Sequence, residues 1–255
     1  MIDKGCAVLS VVFTILALGF VAGWASQNGG DKDQGWLGRA NWGGDKNNRV
    51  ALLAWHPVLM VSGFFLGQVH CLITWILFPE SSKTIRTYLF WLFQLIALSF
   101  FVAAMCAVVK WKLDNTYPAL VTLHSWIGVI AIVIFSINFI GAFLIQHSEK
   151  FVAKYSPRFD LDFLHKFGTI LALVLACFAI IVGIVNQLGQ DSCKFINYDT
   201  NAQANPASFY QHLPNSCKIA YGLGLSVLAS TIFAVVGITY TEFNPQSYKT
   251  LDQQE

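Results

Sequence analysis

Residues 118–146 read PALVTLHSWIGVIAIVIFSINFIGAFLIQ, a run without a single Asp, Glu, Lys or Arg. A helix rising about 1.5 Å per residue needs about 20 apolar residues to cross about 30 Å of hydrocarbon, so this run can span a bilayer. It shows no period-two alternation, which excludes a barrel strand. Working outward, five more apolar runs lie near 7–27, 51–78, 87–109, 164–188 and 219–241, with the charges concentrated between them. The chain therefore reads as an all-α membrane protein of six transmembrane helices, a single domain over 1–255. Several runs exceed the minimum length, so tilt or emergence into the interface is expected.

Composition agrees, because 55% hydrophobic and 12% charged residues leave too little polar surface to cover a soluble globule of this size. The net charge of +2 includes no basic block interleaved with aromatics, so no nucleic-acid partner is expected. The expected partners are the lipid bilayer, a cofactor and other membrane proteins. Ala22-Gly23-Trp24-Ala25-Ser26 could mimic a cleavage site, but the run before it is longer than an ordinary signal core and Lys4 is a weak basic start. A retained first helix is the better reading. Lys and Arg divide evenly between the two sides, so their distribution does not orient the chain.

Cys193 and Cys217 bracket the last loop and could close a disulfide on an oxidising face. Cys6, Cys71, Cys106 and Cys177 lie in or beside apolar runs, where cysteine usually serves as a small hydrophobe. No cysteine or histidine spacing suggests zinc, and no glycine fingerprint suggests a nicotinamide nucleotide.

Four of the six histidines, His56, His70, His124 and His165, fall in or at the edge of apolar runs. A polar ring there is expensive without a partner, so each is a functional candidate. The plainer alternative is a ring hydrogen-bonded to a neighbouring carbonyl. His56 opens the second run and His124 lies near the start of the fourth, and alternate helices run the same way, so both fall at one depth. Two imidazoles facing each other in a bundle can take both axial positions of a haem iron. His165 opens the fifth helix and belongs to the opposite face. His70 stands about 21 Å along the helix from His56, within about 40° of the same stripe, and belongs to that opposite face too. His147 and His212 read as interfacial and loop residues.

Trp55-His56-Pro57-Val58-Leu59-Met60, Leu123-His124-Ser125-Trp126 and His165 followed by Gly168 resemble the three histidine motifs of the cytochrome b561 family. Phe78-Pro79-Glu80-Ser81-Ser82 and Trp91-Leu92-Phe93-Gln94-Leu95 are similar to its short, single-domain, six-helix branch, and the likeness runs from about residue 50 to 188. The resemblance implies that helices 2–5 form a haem-binding four-helix bundle, with two haem b groups near opposite faces and a cytosolic N-terminus. It also implies that electrons cross the membrane, usually from ascorbate in the cytosol. On that orientation His56 and His124 hold the non-cytosolic haem and His165 supports the cytosolic one. Homodimers are common in the family.

The chain departs from the family pattern in the third helix, where an ungapped alignment through Ala107 and His124 puts Phe90 in place of the fourth ligand histidine. Phenylalanine cannot ligate iron. Three expectations stand together: His70 replaces the missing ligand opposite His165, the chain holds a single haem, or haem on His165 is five-coordinate. Diagonal helices leave roughly 12–14 Å for two imidazoles and an iron, whereas neighbouring helices at about 8–10 Å do not, which weighs against a His70–His165 pair.

Lys83 and Arg158 each lie seven residues before the Phe90 and His165 positions, where relatives present basic groups to ascorbate. Charge-assisted hydrogen bonds from such groups can hold an enediolate, and ordinary interfacial snorkelling is the alternative. Thr87 stands where a further family lysine is expected, with Arg86 beside it. The leading expectation is a transmembrane ascorbate-dependent reductase acting on ferric iron or monodehydroascorbate across the membrane. Its rival is a single-haem or structural subunit of a larger respiratory or photosynthetic membrane complex.

Overall fold

A computed structural model describes residues 2–26, 50–69, 83–114, 116–148, 161–190 and 215–243. Among these residues the chain is helical, without strands. The helices are α1 (Ile2–Ser26), α2 (Val50–Ser62, continued by a π-helical segment, Gly63–Val69), α3 (Lys83–Asp114), α4 (Leu123–His147), α5 (Leu161–Gln190) and α6 (Asn215–Phe243). Five are long and apolar enough to cross a membrane, over Lys4–Ala25, Thr84–Asp114, Leu123–Ile145, Phe163–Asn186 and Cys217–Tyr240. The apolar stretch of α2, Leu53–Gly67, is shorter. This is an integral membrane helical bundle of the expected class, and residues 70–78 of the expected second run lie outside the described residues.

The apolar runs mark the spans but not the helix ends. α3 extends past 87–109 at both ends, because charged side chains can leave the hydrocarbon while their backbone stays helical. Lys110 pairs with Asp114 at 3.1 Å, and Lys112 donates to the Pro118 carbonyl at 3.0 Å. α4 starts at Leu123 rather than at 118. Thr116 and Leu120 have left-handed backbone (φ 56° and 55°), and Thr122 caps the helix by accepting from the Ser125 N–H at 3.2 Å.

Packing is uneven around the bundle. α1 lies along α6, with Ser10, Thr14 and Ser230 buried in one hydrogen-bonded cluster between them. The densest core joins α1, α2, α5 and α6 through Trp24, Phe64, Phe65, Leu173 and Leu223. α2 packs on α3, and α4 on α5. Gly67 sets the first of these approaches, since a Cβ there would overlap Ala97. The two pairs approach each other far less closely, leaving a slot that aromatic side chains bridge at mid-span: Phe101 of α3 meets Phe135 of α4 edge to face at 5.2 Å. Functional groups therefore sit at the two ends of the slot.

Candidate functional site

The end of the slot away from the N-terminus holds His56 and His124. His56 sits in the first turns of α2, one residue before Pro57, and its Nδ1 donates to the Ala104 carbonyl of α3 at 3.1 Å. His124 is the second residue of α4, and its Nδ1 donates to the Ala179 carbonyl of α5 at 2.8 Å. A carbonyl only accepts, so each ring carries a proton on Nδ1, and in the neutral ring the lone pair is on Nε2. Each ring is held in one orientation and keeps one nitrogen free to ligate, as second-shell bonds do for metal-bound histidines. The ring centroids are 6.1 Å apart with the planes at 87°.

Two imidazoles bound through Nε2 to a single metal at about 2 Å would place their centroids roughly 6 Å apart. These residues therefore fit an iron between them. α5 comes close enough to bond His124 because residue 183 is glycine: a Cβ there would lie 2.8 Å from Cε1 and 2.9 Å from Nδ1 of the ring. Sequence reading missed Gly183, although a glycine inside an apolar helix carries a propensity penalty of about 1 kcal/mol and so signals a packing reason.

At the other end, His165 of α5 lines a cavity with Thr169 and Ala172 of its own helix. Phe90 and Gln94 of α3 and Phe135, Asn138, Phe139 and Ala142 of α4 form the remaining walls. Phe90 thus shares the cavity of His165 from α3, as the departure from the family pattern implies. The cavity is not wholly apolar. Gln94 is buried, and Asn138 lies against α5, where a Cβ on Gly168 would come within 2.6 Å of its Oδ1. The buried Nδ2 of Asn138 has no hydrogen-bond partner among the described residues. Neither amide was singled out in the sequence. Asn138 lies fourteen residues beyond His124, the same spacing as His70 from His56, and that spacing was the signal available.

Among the described residues, the lining of this cavity contains no second histidine. His147, at the end of α4, is exposed, with Nδ1 bonded to the Phe143 carbonyl at 3.1 Å and its ring stacked on Phe143 at 4.6 Å. His70, Arg158, Cys193 and His212 lie outside the described residues, and of Lys83 only its place at the start of α3 is described. Cys217, buried at the start of α6, is disulfide-bonded, while Cys6, Cys106 and Cys177 are free.

Comparison with known proteins gives one family. Residues 55–190 match the family described as eukaryotic cytochrome b561. The chain is 27% identical over 150 residues to the plasma membrane ascorbate-dependent reductase CYBRD1 of Xenopus laevis, covering 55% of this chain and 50% of that protein. It is 26% identical over 211 residues to the lysosomal membrane ascorbate-dependent ferrireductase CYB561A3 of Mus musculus, covering 77% and 75%. With the transmembrane ascorbate ferrireductase 1 of Arabidopsis thaliana it shares 27% over 101 residues, 40% and 42% of the two chains. The chain spans about half the length of the Xenopus relatives it matches. The matched segment begins at Trp55, beside His56, and ends with α5, so it contains both ends of the slot, and the chain belongs to the cytochrome b561 family.

Proposed function

We propose that the chain carries electrons across the membrane through b-type haem, taking them from ascorbate on the side of its N-terminus and delivering them to ferric iron or monodehydroascorbate on the other. The observation that carries this reading is the His56–His124 pair, two rings 6.1 Å apart, each fixed through Nδ1 to a neighbouring helix. The haem iron supplies the one-electron couple. His56 and His124 hold it, and Gly183 lets α5 buttress His124.

At the opposite end His165 is the ligand of the second haem, with His70 proposed beside it as a candidate replacement for the missing histidine. Lys83, where α3 begins, and Arg158, shortly before α5, supply cationic groups for an enediolate donor, with Arg86 nearby in sequence. Cys193 is the proposed partner of Cys217. A disulfide on that loop suits an extracellular or lumenal face, which supports the reading of a cytosolic N-terminus. The names of the relatives, ascorbate-dependent reductases and ferrireductases, support the choice of donor and acceptor.

The test uses the full chain in sealed vesicles loaded with ascorbate, with ferric chelate outside. External ferrous iron should form in the wild type and not in His56→Leu or His124→Leu. Unchanged reduction in both variants would refute the proposal. A second reading, a single-haem subunit of a larger membrane complex, is favoured by Phe90 at the cavity of His165. A complex that co-purifies with the chain and carries one haem per copy of it would favour this reading.

A further inference from the structure

All four helices of the slot send an apolar side chain into one layer at mid-span. Met60 of α2, Ala97 and Phe101 of α3, Phe135 of α4 and Ala172 of α5 pack together there, and the two phenyl rings meet edge to face at 5.2 Å. Every one of them except Met60 is buried. The layer brings no hydroxyl, amide or charge into the slot.

Polar groups stand about one helical turn away on both sides. Towards the far end, His56 precedes Met60 by four residues, and Ala104, whose carbonyl accepts from the His56 ring, follows Phe101 by three. Towards the near end, Phe135 and Ala172 also form the inner walls of the His165 cavity, and Asn138 and Thr169 line it one turn further out. The buried Asn138 Nδ2 has no hydrogen-bond partner among the described residues. An unpaired buried donor is unfavourable, so this side favours a water molecule as acceptor. Water is thus drawn to within a turn of the layer and meets only hydrocarbon there.

We infer that the layer centred on Phe101 and Phe135 is a proton-tight seal between the two polar ends of the slot. Protons move along hydrogen-bonded water, and an apolar constriction breaks such a chain by dewetting, as hydrophobic gates in channels do. A bare charge without that water is far costlier to bury. The inference rests on packing and does not depend on a bound group at either end. For a protein that carries electrons across the membrane, the consequence is that no proton follows through the same slot.

The test uses purified full-length protein in sealed phosphatidylcholine vesicles containing the pH dye pyranine. A potassium gradient with valinomycin drives protons inward, and neither ascorbate nor ferric iron is present. Wild-type vesicles should be as tight as protein-free ones. Phe101→Ser and Phe135→Ser each open space and put a hydroxyl in the layer; serine is chosen because a purely apolar cavity stays dry. Each should raise proton entry at least about tenfold, the change that about 1.4 kcal/mol off a barrier produces. Phe101→Leu and Phe135→Leu keep the layer apolar and should stay tight. Phe143→Ser, on the exposed surface of α4, should stay tight as well.

Proton entry through the wild type above the protein-free level would overturn the inference, whatever the variants do. Serine variants that elute in size-exclusion chromatography as the wild type does and yet stay tight would overturn it too, as would leucine variants that leak as much as the serine ones. With no donor or acceptor in the assay, failure of the electron-transfer reading leaves these outcomes unchanged.

Discussion

The two ends of the slot are built from the same helices, yet they differ in how their histidines are held and in what faces them. At the far end His56 and His124 lie on diagonal helices, and each is bonded to the backbone of the next. At the near end His165 shares its cavity with three phenylalanines and two amides. Mid-span, Phe101 and Phe135 close the slot between them. One fold thus carries two facing histidines at one face and, among the described residues, a histidine in a phenylalanine-lined cavity at the other. The helix frame fixes where ligands can stand, but single side chains decide whether they do.

The largest expected effect breaks this comparison at its stronger end. His56→Leu or His124→Leu should remove the far-end haem, lowering haem per chain, while His165→Leu should leave that haem in place. Optical spectra of the three purified variants check this. Equal losses in all three would mean that the ends are not independent.

A smaller effect concerns the sides of the membrane. Cys217→Ser should lower stability by about 2–4 kcal/mol, the usual worth of a disulfide. It should also make Cys193 newly reactive to a maleimide that cannot cross the membrane. Alkylation followed by mass spectrometry reads this out. Labelling at Cys193 in the untreated wild type would rule out the proposed pairing.

Gly183→Val sharpens the comparison at one residue. Its side chain would press on the His124 ring, and overpacking of this kind costs about 1–3 kcal/mol. That corresponds to haem retention weakened by roughly 5- to 150-fold at the far end, measured by transfer to apomyoglobin. Gly168→Val presses on Asn138 instead and should leave the far-end haem as it is. The smallest effect belongs to Ser230→Ala, which removes the clasp between α1 and α6. Interhelical hydrogen bonds in membranes average about 0.6 kcal/mol, so unfolding in detergent should shift slightly and neither haem spectrum should change.

Much of this was legible in the sequence because a bilayer imposes a simple rule: uncharged runs of sufficient length become helices. Residues 118–146 contained α4, although Pro118 and the left-handed Thr116 and Leu120 delayed its start to the Thr122 cap. Spacing placed His56 and His124 at one depth, since helical rise converts residue number into depth, whereas attention to Phe90 came from the resemblance to the family. The π-helical segment Gly63–Val69, the Gly183 contact and the place of the Asn138 amide at the His165 cavity were not legible. Each depends on how two helices approach, which hydropathy does not encode.

The sequence alone determined the membrane class, the helix order and the common depth of His56 and His124, because these follow from composition and a fixed rise per residue. Only the tertiary structure decided that α2 packs on α3 and α4 on α5 with a slot between the pairs, that the Nδ1 atoms of His56 and His124 are tied to the Ala104 and Ala179 carbonyls, and that Phe90 shares a polar cavity with His165. Those contacts join residues dozens of positions apart, and they are set by which small residues let neighbouring helices approach.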